Sequence, residues 1–335
     1  MNKTLLNVEH LKCNFILENK LFKKSIYLKA IDDISFKIKE GITLGIVGES
    51  GCGKSVSSLA ILKLIPDPPG KISSGSILYE GEDIVKVSDR KIRDIRGKKI
   101  SMIFQEPMTS LNPLMTIGKQ ISELLDRHFD ISKKETYKRA KNILDLVQIP
   151  DSDRWLNGYP HEMSGGMRQR VMIAMALVCE PSVLIADEPT TALDVTTQAQ
   201  VLALLNNLQK KLGTAVVMIT HDLGVIAETA DHVIVMYAGK KVEEASVIDL
   251  FKNPKHPYTK GLMNAIPNMD EISKNKGKPK RLEEIKGIVP SLHDLPVGCA
   301  FANRCSYVME KCKKENPVFE EKSKDHWASC FKDLK

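Results

Sequence analysis

Apolar residues follow two kinds of pattern along this chain: in some segments they alternate with polar residues, and in others they form short runs. Apolar and polar residues alternate over residues 5–15 and 30–38, which predicts two antiparallel strands. A short apolar run at 42–47 predicts another strand, and the uninterrupted apolar run at 183–186 is typical of a parallel strand that is buried on both faces. Further strands are predicted at 77–79, 100–104, 215–219 and 233–236, and helices at 56–65, 167–179 and 198–212. Because strands alternate with helices, the pattern predicts an α/β fold with a mostly parallel core sheet in three layers.

The regions outside this alternation predict the domain organisation. Residues 113–178 contain no strand pattern, and apolar residues recur at helical spacing between 117 and 147, so we expect a helical subdomain there. A stretch rich in Lys, Glu, Gly and Pro at 270–287 is typical of a connector. We therefore expect one large domain over residues 1–255, which includes an antiparallel β subdomain, and a small C-terminal extension over residues 256–335.

Composition and charge narrow the function classes. The 335 residues carry a formal net charge of +7, and aromatic residues make up 5% of the chain. The lysines are spread along the chain, whereas nucleic-acid binding favours basic residues concentrated on one element and interleaved with aromatics, so we expect no nucleic-acid partner. No apolar run reaches the roughly 18 residues of a membrane-spanning helix, and the first residues, Met-Asn-Lys-Thr, lack the long apolar segment that is typical of a signal peptide. We expect a cytoplasmic protein whose membrane contact comes through a partner chain.

The most specific chemical motif is G-x-x-x-x-G-K-S at residues 48–55, between a predicted strand and a predicted helix. Its glycines let backbone N–H groups turn towards phosphates, and the helix N-terminus adds a partial positive charge. Lys54 is expected to reach the β- and γ-phosphates, and the Ser55 hydroxyl to bind Mg²⁺. The residues expected to contact a nucleotide here are Gly48, Glu49, Ser50, Gly51, Cys52, Gly53, Lys54, Ser55 and Val56.

Two acidic residues end the apolar run at 183–186. Asp187, at the carboxyl end of a buried strand beside a phosphate loop, is placed to hold Mg²⁺. The adjacent Glu188 can polarise an attacking water as a general base. Earlier in the chain, the segment 164–166, Ser-Gly-Gly, opens a predicted helix, where small residues free backbone N–H groups to bind an anion. Together these segments predict a site that hydrolyses a nucleotide.

With these motifs in this order, the sequence resembles the ATP-binding cassette family. Residues 48–55 resemble the family's Walker A loop, and residues 183–187 resemble its Walker B strand. Residues 164–169 resemble its signature motif, with Met167 where Gln is commonest. Three single residues resemble the family's Q-loop, D-loop and switch histidine, and these are Gln105, Asp194 and His221.

The resemblance implies a head-to-tail dimer that holds ATP between the Walker A loop of one subunit and the signature motif of the other. The residues expected to serve the partner's nucleotide are Ser164, Gly165, Gly166, Met167 and Asp194. The family also stacks an aromatic residue on the adenine, for which Phe15 is the candidate and Tyr27 its competitor.

The resemblance also implies catalytic roles within one subunit. Gln105 is expected to bind Mg²⁺ or the lytic water, and His221 to contact the γ-phosphate. Together with Glu188 these two residues would form the catalytic group. The Mg²⁺ ligands implied are Ser55, Gln105 and Asp187.

Residues 48–53, 105–113 and 253–259 resemble the oligopeptide, dipeptide and nickel importer ATPases of this family. The resemblance implies a second ATPase subunit, in a heterodimer or, in isolation, a homodimer, beneath two transmembrane permease subunits. An extracytoplasmic binding protein would supply the peptide, and this chain would lie at the cytoplasmic face of the membrane. Nickel is the alternative cargo. An exporter ATPase and a soluble ATPase that acts on nucleic acid are the more distant alternatives.

Four cysteines cluster in the extension with the spacing C-x₅-C-x₆-C-x₁₇-C, namely Cys299, Cys305, Cys312 and Cys330. The spacing fits neither a zinc knuckle with C-x₂-C pairs nor the ferredoxin patterns. Clustered thiols in a reducing compartment nevertheless favour a metal site. The resemblance to the importer branch implies a [4Fe–4S] cluster here. Zinc is the alternative, with His293 and His326 as possible substitutes for a cysteine.

Overall fold

The computed structural model describes residues 3–18, 26–105, 110–191, 193–266 and 284–334, in which the chain forms two β-sheets and surrounding helices. The strands are β1 (Thr4–Glu18), β2 (Ile26–Lys39), β3 (Thr43–Val47), β4 (Gly70–Tyr79), β5 (Glu82–Asp83), β6 (Ile100–Ile103), β7 (Val183–Asp187), β8 (Ala215–Thr220), β9 (His232–Tyr237), β10 (Lys240–Ser246), β11 (Glu320–Ser323) and β12 (His326–Ala328). The α-helices are α1 (Lys54–Ile61), α2 (Asp89–Ile95), α3 (Ile117–His128), α4 (Lys133–Leu146), α5 (Ser152–Leu156), α6 (Gly165–Leu177), α7 (Val195–Leu212), α8 (Leu223–Thr229), α9 (Val247–Lys252), α10 (Pro257–Asn264) and α11 (Glu310–Lys314). Short 3₁₀ turns lie at Pro160–Glu162 and Ala302–Arg304.

The larger sheet has the strand order β11-β12-β10-β9-β3-β8-β7-β6 over the described ranges. Strands β9, β3, β8, β7 and β6 run parallel, and Ile46 of β3 aligns with Ile219 of β8 and Ile234 of β9. Every residue of β3, β7 and β8 is buried, because a parallel sheet is covered on both faces. The predicted mostly parallel core sheet is confirmed.

Side chains of these parallel strands alternate between two hydrophobic cores. Val47 and Leu184 pack with the core residues of α3, α6 and α7 on one face. Ile46 and Ile185 pack on the other face with residues of β1, β2, α1 and α2. The sheet therefore lies between two layers, and its carboxyl edge carries both the loop before α1 and the acidic end of β7.

The smaller sheet confirms the predicted antiparallel strands. β1 lies between β2 and β4, and Phe15 of β1 aligns with Leu28 of β2 and Gly70 of β4. The inward side chains of β1 include Leu6, Val8 and Leu11, which are fully buried. Register shifts between Val8 and Leu11 interrupt the alternation, where His10 adopts a positive φ of 49°. The neighbouring residues 19–25 lie outside the described part of the chain.

Between β6 and β7, the described residues contain helices and no strand, as the sequence predicts. The α3 helix begins after Thr116, whose hydroxyl accepts a hydrogen bond from the Lys119 N–H, a common N-cap arrangement. Ile117, Ile121 and Leu125 follow at intervals of four residues and are fully buried. This spacing places one apolar face of α3 on the core.

The C-terminal extension joins the larger sheet, which the sequence analysis does not predict. β12 pairs with β10, aligning Ala328 with Glu243 and Trp327 with Glu244, and β11 then forms the edge. The predicted connector at 270–287 lies mostly outside the described residues. No helix in the described ranges is both long enough and apolar enough to cross a bilayer.

Candidate nucleotide-binding site

The segment between β3 and α1 forms a tight loop that only glycine can complete at two positions. A Cβ atom on Gly48 would lie 2.2 Å from the Met236 carbonyl oxygen, and one on Gly53 would lie 2.5 Å from that of Ala30. Gly53 also has a positive φ of 99° and precedes the first residue of the helix. The loop backbone is therefore seated against β2 and β9, with the α1 N-terminus directed at its centre.

Inside this loop, Lys54 is buried and its Nζ donates hydrogen bonds to the carbonyl oxygens of Gly48 at 2.8 Å and Glu49 at 3.2 Å. Cys52 is also buried, and burial raises the pKa of its thiol, so this cysteine stays protonated. The remaining predicted loop residues lie at the exposed tip or are half-buried at the helix start, namely Ser50, Gly51, Ser55 and Val56.

The end of β7 meets the start of α1 through two serine hydroxyls. Ser55 Oγ donates to Asp187 Oδ1 at 3.1 Å, and Ser58 Oγ donates to Asp187 Oδ2 at 3.4 Å. Burial raises the pKa of Asp187, against the effect of these hydrogen bonds. Two of the predicted Mg²⁺ ligands, Ser55 and Asp187, are thus brought together with oxygen atoms, the ligand type that Mg²⁺ prefers. The predicted third ligand, Gln105, contacts Glu188 instead.

Glu188 is surrounded by polar groups from three segments. Gln105 Nε2 donates to Glu188 Oε2 at 3.1 Å, and His221 Nδ1 lies 3.2 Å from Glu188 Oε1. Thr191 Oγ1 donates to Glu188 Oε2 at 3.0 Å. The Glu188 backbone, with a φ of 46°, donates its N–H to the Ile219 carbonyl oxygen of β8. The structure therefore joins all three predicted catalytic residues in one hydrogen-bonded group.

Thr191 is the member of this group that the sequence analysis missed. The sequence could have indicated Thr191, because it is a hydroxyl residue three positions after Glu188, beyond Pro189 and Thr190. The Thr191 N–H also donates to the Glu188 carbonyl oxygen, so the turn itself brings the hydroxyl back to the carboxylate.

The signature segment forms a second cluster with the predicted D-loop residue. Ser164 is the N-cap of α6, and its hydroxyl accepts from the Met167 N–H at 3.3 Å. Gly166 faces the α7 residue Thr197, since a Cβ atom on this glycine would lie 2.9 Å from Thr197 Cγ2. Asp194 caps α7 and accepts hydrogen bonds from the backbone and hydroxyl of Thr197. These bonds to Thr197 lower the pKa of the exposed Asp194 carboxyl group.

One side chain links this signature cluster to the Glu188 turn. Gln169, buried in α6, donates from Nε2 to the Pro189 carbonyl oxygen. Ser164 and Gly165 themselves are exposed at the start of α6. A molecule approaching from outside can therefore reach the signature backbone.

The two candidate aromatic residues lie on neighbouring strands. The half-buried Phe15 ring covers Gly70, where an added Cβ would lie 2.7 Å from the ring. Tyr27 of β2 pairs with Ile16 and is 54% exposed. The assignment of Phe15 to adenine stacking stays a prediction.

The four clustered cysteines line one cavity in the extension, together with Phe301, Tyr307 and Phe331. All four are free thiols. Burial raises the pKa of Cys299, Cys305 and Cys330, in the last case to about 11, and neighbouring thiols add to the shift. Over the described ranges, no group of three or more His, Cys, Asp or Glu side chains is arranged to hold a metal ion, so the predicted metal-binding character is not supported by this geometry.

The two alternative histidine ligands have other partners. Ser291 Oγ hydrogen-bonds to the ring of His293. His326 is buried and its Nε2 lies 2.7 Å from Oε1 of the buried Glu243. Neither histidine lines the cysteine cavity.

Both the nucleotide-binding part of the chain and its C-terminal part match known protein families. Residues 31–191 match the family model described as ABC transporter, and residues 242–312 match the one described as oligopeptide/dipeptide transporter, C-terminal region. The chain is 51% identical over 316 residues to the probable peptide ABC transporter ATP-binding protein y4tR of Sinorhizobium fredii. The aligned residues cover 94% of this chain and 93% of that protein. It is 51% identical over 304 residues to the oligopeptide transport ATP-binding protein OppD of Bacillus subtilis, covering 91% and 84%.

Among solved structures, the dimeric structure of MJ0796, a bacterial ABC transporter cassette, has a TM-score of 0.62 at 30% identity and covers 72% of this chain and 98% of that chain. The fold and site thus define an ATPase of the ABC transporter class. This chain belongs to the ABC transporter ATP-binding proteins, in the group that carries the oligopeptide/dipeptide transporter C-terminal region.

Proposed function

We propose that this chain hydrolyses ATP to energise the import of dipeptides or oligopeptides through a membrane ABC transporter. The observation that carries this proposal is the convergence of Gln105, Thr191 and His221 on Glu188, beside the phosphate loop, in a chain with the peptide-transporter type of C-terminal region. The convergence supports hydrolysis, and the C-terminal region supports peptide as the cargo.

Residues of the phosphate loop bind and orient the nucleotide in this proposal. Lys54 exchanges its hydrogen bonds to loop carbonyl groups for the β- and γ-phosphates, while the loop N–H groups surround the phosphate oxygens. Ser55 and Asp187, already joined at 3.1 Å, are the residues that would hold Mg²⁺. A bound Mg²⁺ would neutralise charge on the β- and γ-phosphates.

Hydrolysis requires a positioned water and a base for its proton. Glu188 accepts that proton in the proposed reaction, a general-base contribution of about 10²–10⁴-fold. Gln105 and Thr191 hold the carboxylate in place, and His221 contacts the γ-phosphate from the end of β8. As the water oxygen attacks the γ-phosphorus, its proton moves to a carboxylate oxygen of Glu188. The bond between the γ-phosphorus and the β–γ bridging oxygen breaks, and ADP leaves with that oxygen.

The exposed signature start supports a dimer in which each ATP is held by two subunits. Ser164, Gly165, Gly166 and Met167 would bind the partner's nucleotide at the α6 N-terminus, and Asp194 would face the partner's phosphate loop. The partner is a second ATPase subunit, in a heterodimer or a homodimer. Two transmembrane permease subunits would place the dimer at the cytoplasmic face of the membrane, and an external binding protein would supply peptide to them.

Uptake measurements test the cargo. Cells lacking this chain are compared with complemented cells for uptake of radiolabelled dipeptides, a labelled pentapeptide and ⁶³Ni²⁺. We expect peptide uptake to be lost and restored by the wild-type chain, and to stay lost with the Lys54→Ala variant. Loss of nickel uptake alone would replace the peptide assignment with a nickel importer.

We propose further that Cys299, Cys305, Cys312 and Cys330 hold a [4Fe–4S] cluster. This proposal rests on the donor type alone, because the four cysteines line one cavity and iron–sulfur clusters are held by cysteine thiolates. Protein purified without oxygen should contain about four irons per chain and absorb near 400 nm. Cys305→Ser should remove both signals, and one zinc per chain with no iron would contradict the cluster.

A further inference from the structure

Glu49, in the phosphate loop, is held by residues from the C-terminal extension. The Arg304 guanidinium makes two hydrogen bonds to its carboxylate, from Nη1 to Oε2 at 2.6 Å and from Nη2 to Oε1 at 2.9 Å. The hydroxyl of Tyr258 accepts a hydrogen bond from the Glu49 backbone N–H at 2.8 Å. Both the side chain and the backbone of one loop residue are therefore fixed from outside the nucleotide-binding motifs.

The arginine of this ion pair is more buried than the glutamate. The Arg304 side chain is 5% exposed, compared with 29% for Glu49. Its guanidinium lies 5.9 Å from the Tyr237 ring centroid, and Tyr237 packs in turn with Tyr258 and Phe301 at 4.7 and 5.2 Å. A buried bidentate arginine beside the Tyr237 ring loses little conformational freedom when it forms a salt bridge, so this pair is stronger than an ordinary surface pair.

The same segment presents two of the clustered cysteines. Arg304 ends the 3₁₀ turn Ala302–Arg304, which lies between Cys299 and Cys305. The Ala302 N–H donates to the Cys299 carbonyl oxygen, and the Cys299 N–H donates to that of Cys312. The backbone position of Arg304 therefore depends on the segments that carry the cysteine cavity.

We propose that Arg304 is a positioning residue of the phosphate loop, and that through it the order of the four-cysteine site sets the affinity for ATP. A free carboxylate at Glu49 would repel the phosphates of a bound nucleotide, and Arg304 neutralises this charge while it fixes the loop backbone. Disorder at the cysteine site moves the Arg304 turn and so exposes the Glu49 charge. This inference rests on the proposed ATPase function.

The first experiment measures the dissociation constant of a fluorescent ATP analogue with the purified full-length chain. Arg304→Met should weaken ATP binding about tenfold, an effect of about 1.4 kcal/mol. The dissociation constant of Arg304→Lys should lie between those of Arg304→Met and the wild type. Arg93→Met, at an exposed arginine of α2, is the matched control and should bind as the wild type does. An unchanged affinity in Arg304→Met would overturn the inference.

A second-site substitution separates positioning from a general loss of structure. Glu49→Gln removes the charge that Arg304 compensates, so Arg304→Met should have little further effect in that background. The double variant should have a dissociation constant for ATP within about twofold of that of Glu49→Gln alone, as expected for coupled residues. Losses that simply add would show that Arg304 acts only through the stability of the extension. In steady-state assays, Arg304→Met should raise KM for ATP and leave kcat within about twofold.

A cysteine variant tests the link to the cavity. Cys330→Ser changes the cavity at a residue outside the Arg304 turn. Because the disturbed cavity shifts that turn, the variant should raise the dissociation constant severalfold in the wild-type background but not in Glu49→Gln. Cys179→Ser, a buried cysteine outside this cavity, is the control. Equal effects of Cys330→Ser in both backgrounds would refute the link. A wild-type chain that binds no ATP would instead refute the proposed function, so the two failures are distinguishable.

Discussion

Two glutamates of this fold accept similar numbers of hydrogen bonds and have opposite surroundings. Glu188 contacts three side chains at the rim of the larger sheet, and one of them, His221, is 58% exposed. Glu243 is fully buried, and it accepts from the backbone N–H groups of Lys255 and His256 and contacts the ring of His326. Side-chain partners at an open rim can exchange for water and substrate, whereas backbone partners in the interior cannot. Glu188 therefore has the surroundings expected of the reactive carboxylate that we propose, whereas Glu243 holds the extension to β10.

Glu188→Gln should give the largest effect on activity. The amide keeps the shape of the side chain and loses the base, so we expect kcat for ATP hydrolysis to fall about 10²–10⁴-fold. Binding of ATP and the midpoint of thermal unfolding should stay within error of the wild type. Steady-state phosphate release and a nucleotide-binding assay on the same preparation measure both. The exposed Glu228→Gln serves as control, and normal turnover in Glu188→Gln would remove Glu188 as the base.

Glu243→Gln should show the opposite behaviour. It replaces a buried acceptor of three hydrogen bonds by an amide whose NH₂ group faces N–H donors, so we expect a loss of about 3 kcal/mol in the free energy of unfolding. Urea titration measures this loss, and Glu315→Gln, an exposed site in the extension, should change little. A stability equal to that of the wild type would contradict the role assigned to Glu243.

The pH dependence of stability should also distinguish the two regions. Burial, opposed in part by Glu243, lowers the pKa of His256 from 6.5 to about 4. Between these values the unfolded chain binds a proton that the folded chain does not, so stability falls as the pH falls through this window, by up to about 1.4 kcal/mol per pH unit. His256→Asn retains an acceptor for the Tyr258 N–H and should flatten the slope measured in urea between pH 7 and 5. An unaltered slope would place the titration elsewhere.

Thr191→Val should give the smallest effect of the four. It removes one hydrogen bond to Glu188, worth about 1 kcal/mol, and should lower kcat roughly fivefold without a change in ATP affinity. Thr191→Ser restores the hydroxyl and should recover most of the rate. If valine and serine behave alike, the hydroxyl does not position the carboxylate.

Glu188 and Glu243 also differ in how far the sequence predicts their surroundings. Glu188, Gln105 and His221 each end a strand of a parallel sheet, so short motifs and the sheet rule together place them at one edge. The buried role of Glu243 depends on pairing with a segment more than 80 positions away, near His326. The strand β12 has three residues and β11 has four, of which Glu320, Glu321 and Lys322 are charged, so neither gives a local strand signal, and β12 forms against β10. The start of α6 at Gly165, ahead of the predicted 167, follows from the cap at Ser164.

The strand β11 has a further consequence for how the molecule behaves among its own copies. As an edge strand it presents unpaired backbone groups, a template on which another chain can add a strand. Its residues are Glu320, Glu321, Lys322 and Ser323, and the two glutamates and the serine are exposed. Charges at this edge oppose such addition, which keeps the larger sheet from growing between molecules. The C-terminal extension therefore also serves as the closing border of the sheet, and a chain cut before residue 319 would leave β10 as an uncovered edge prone to aggregation.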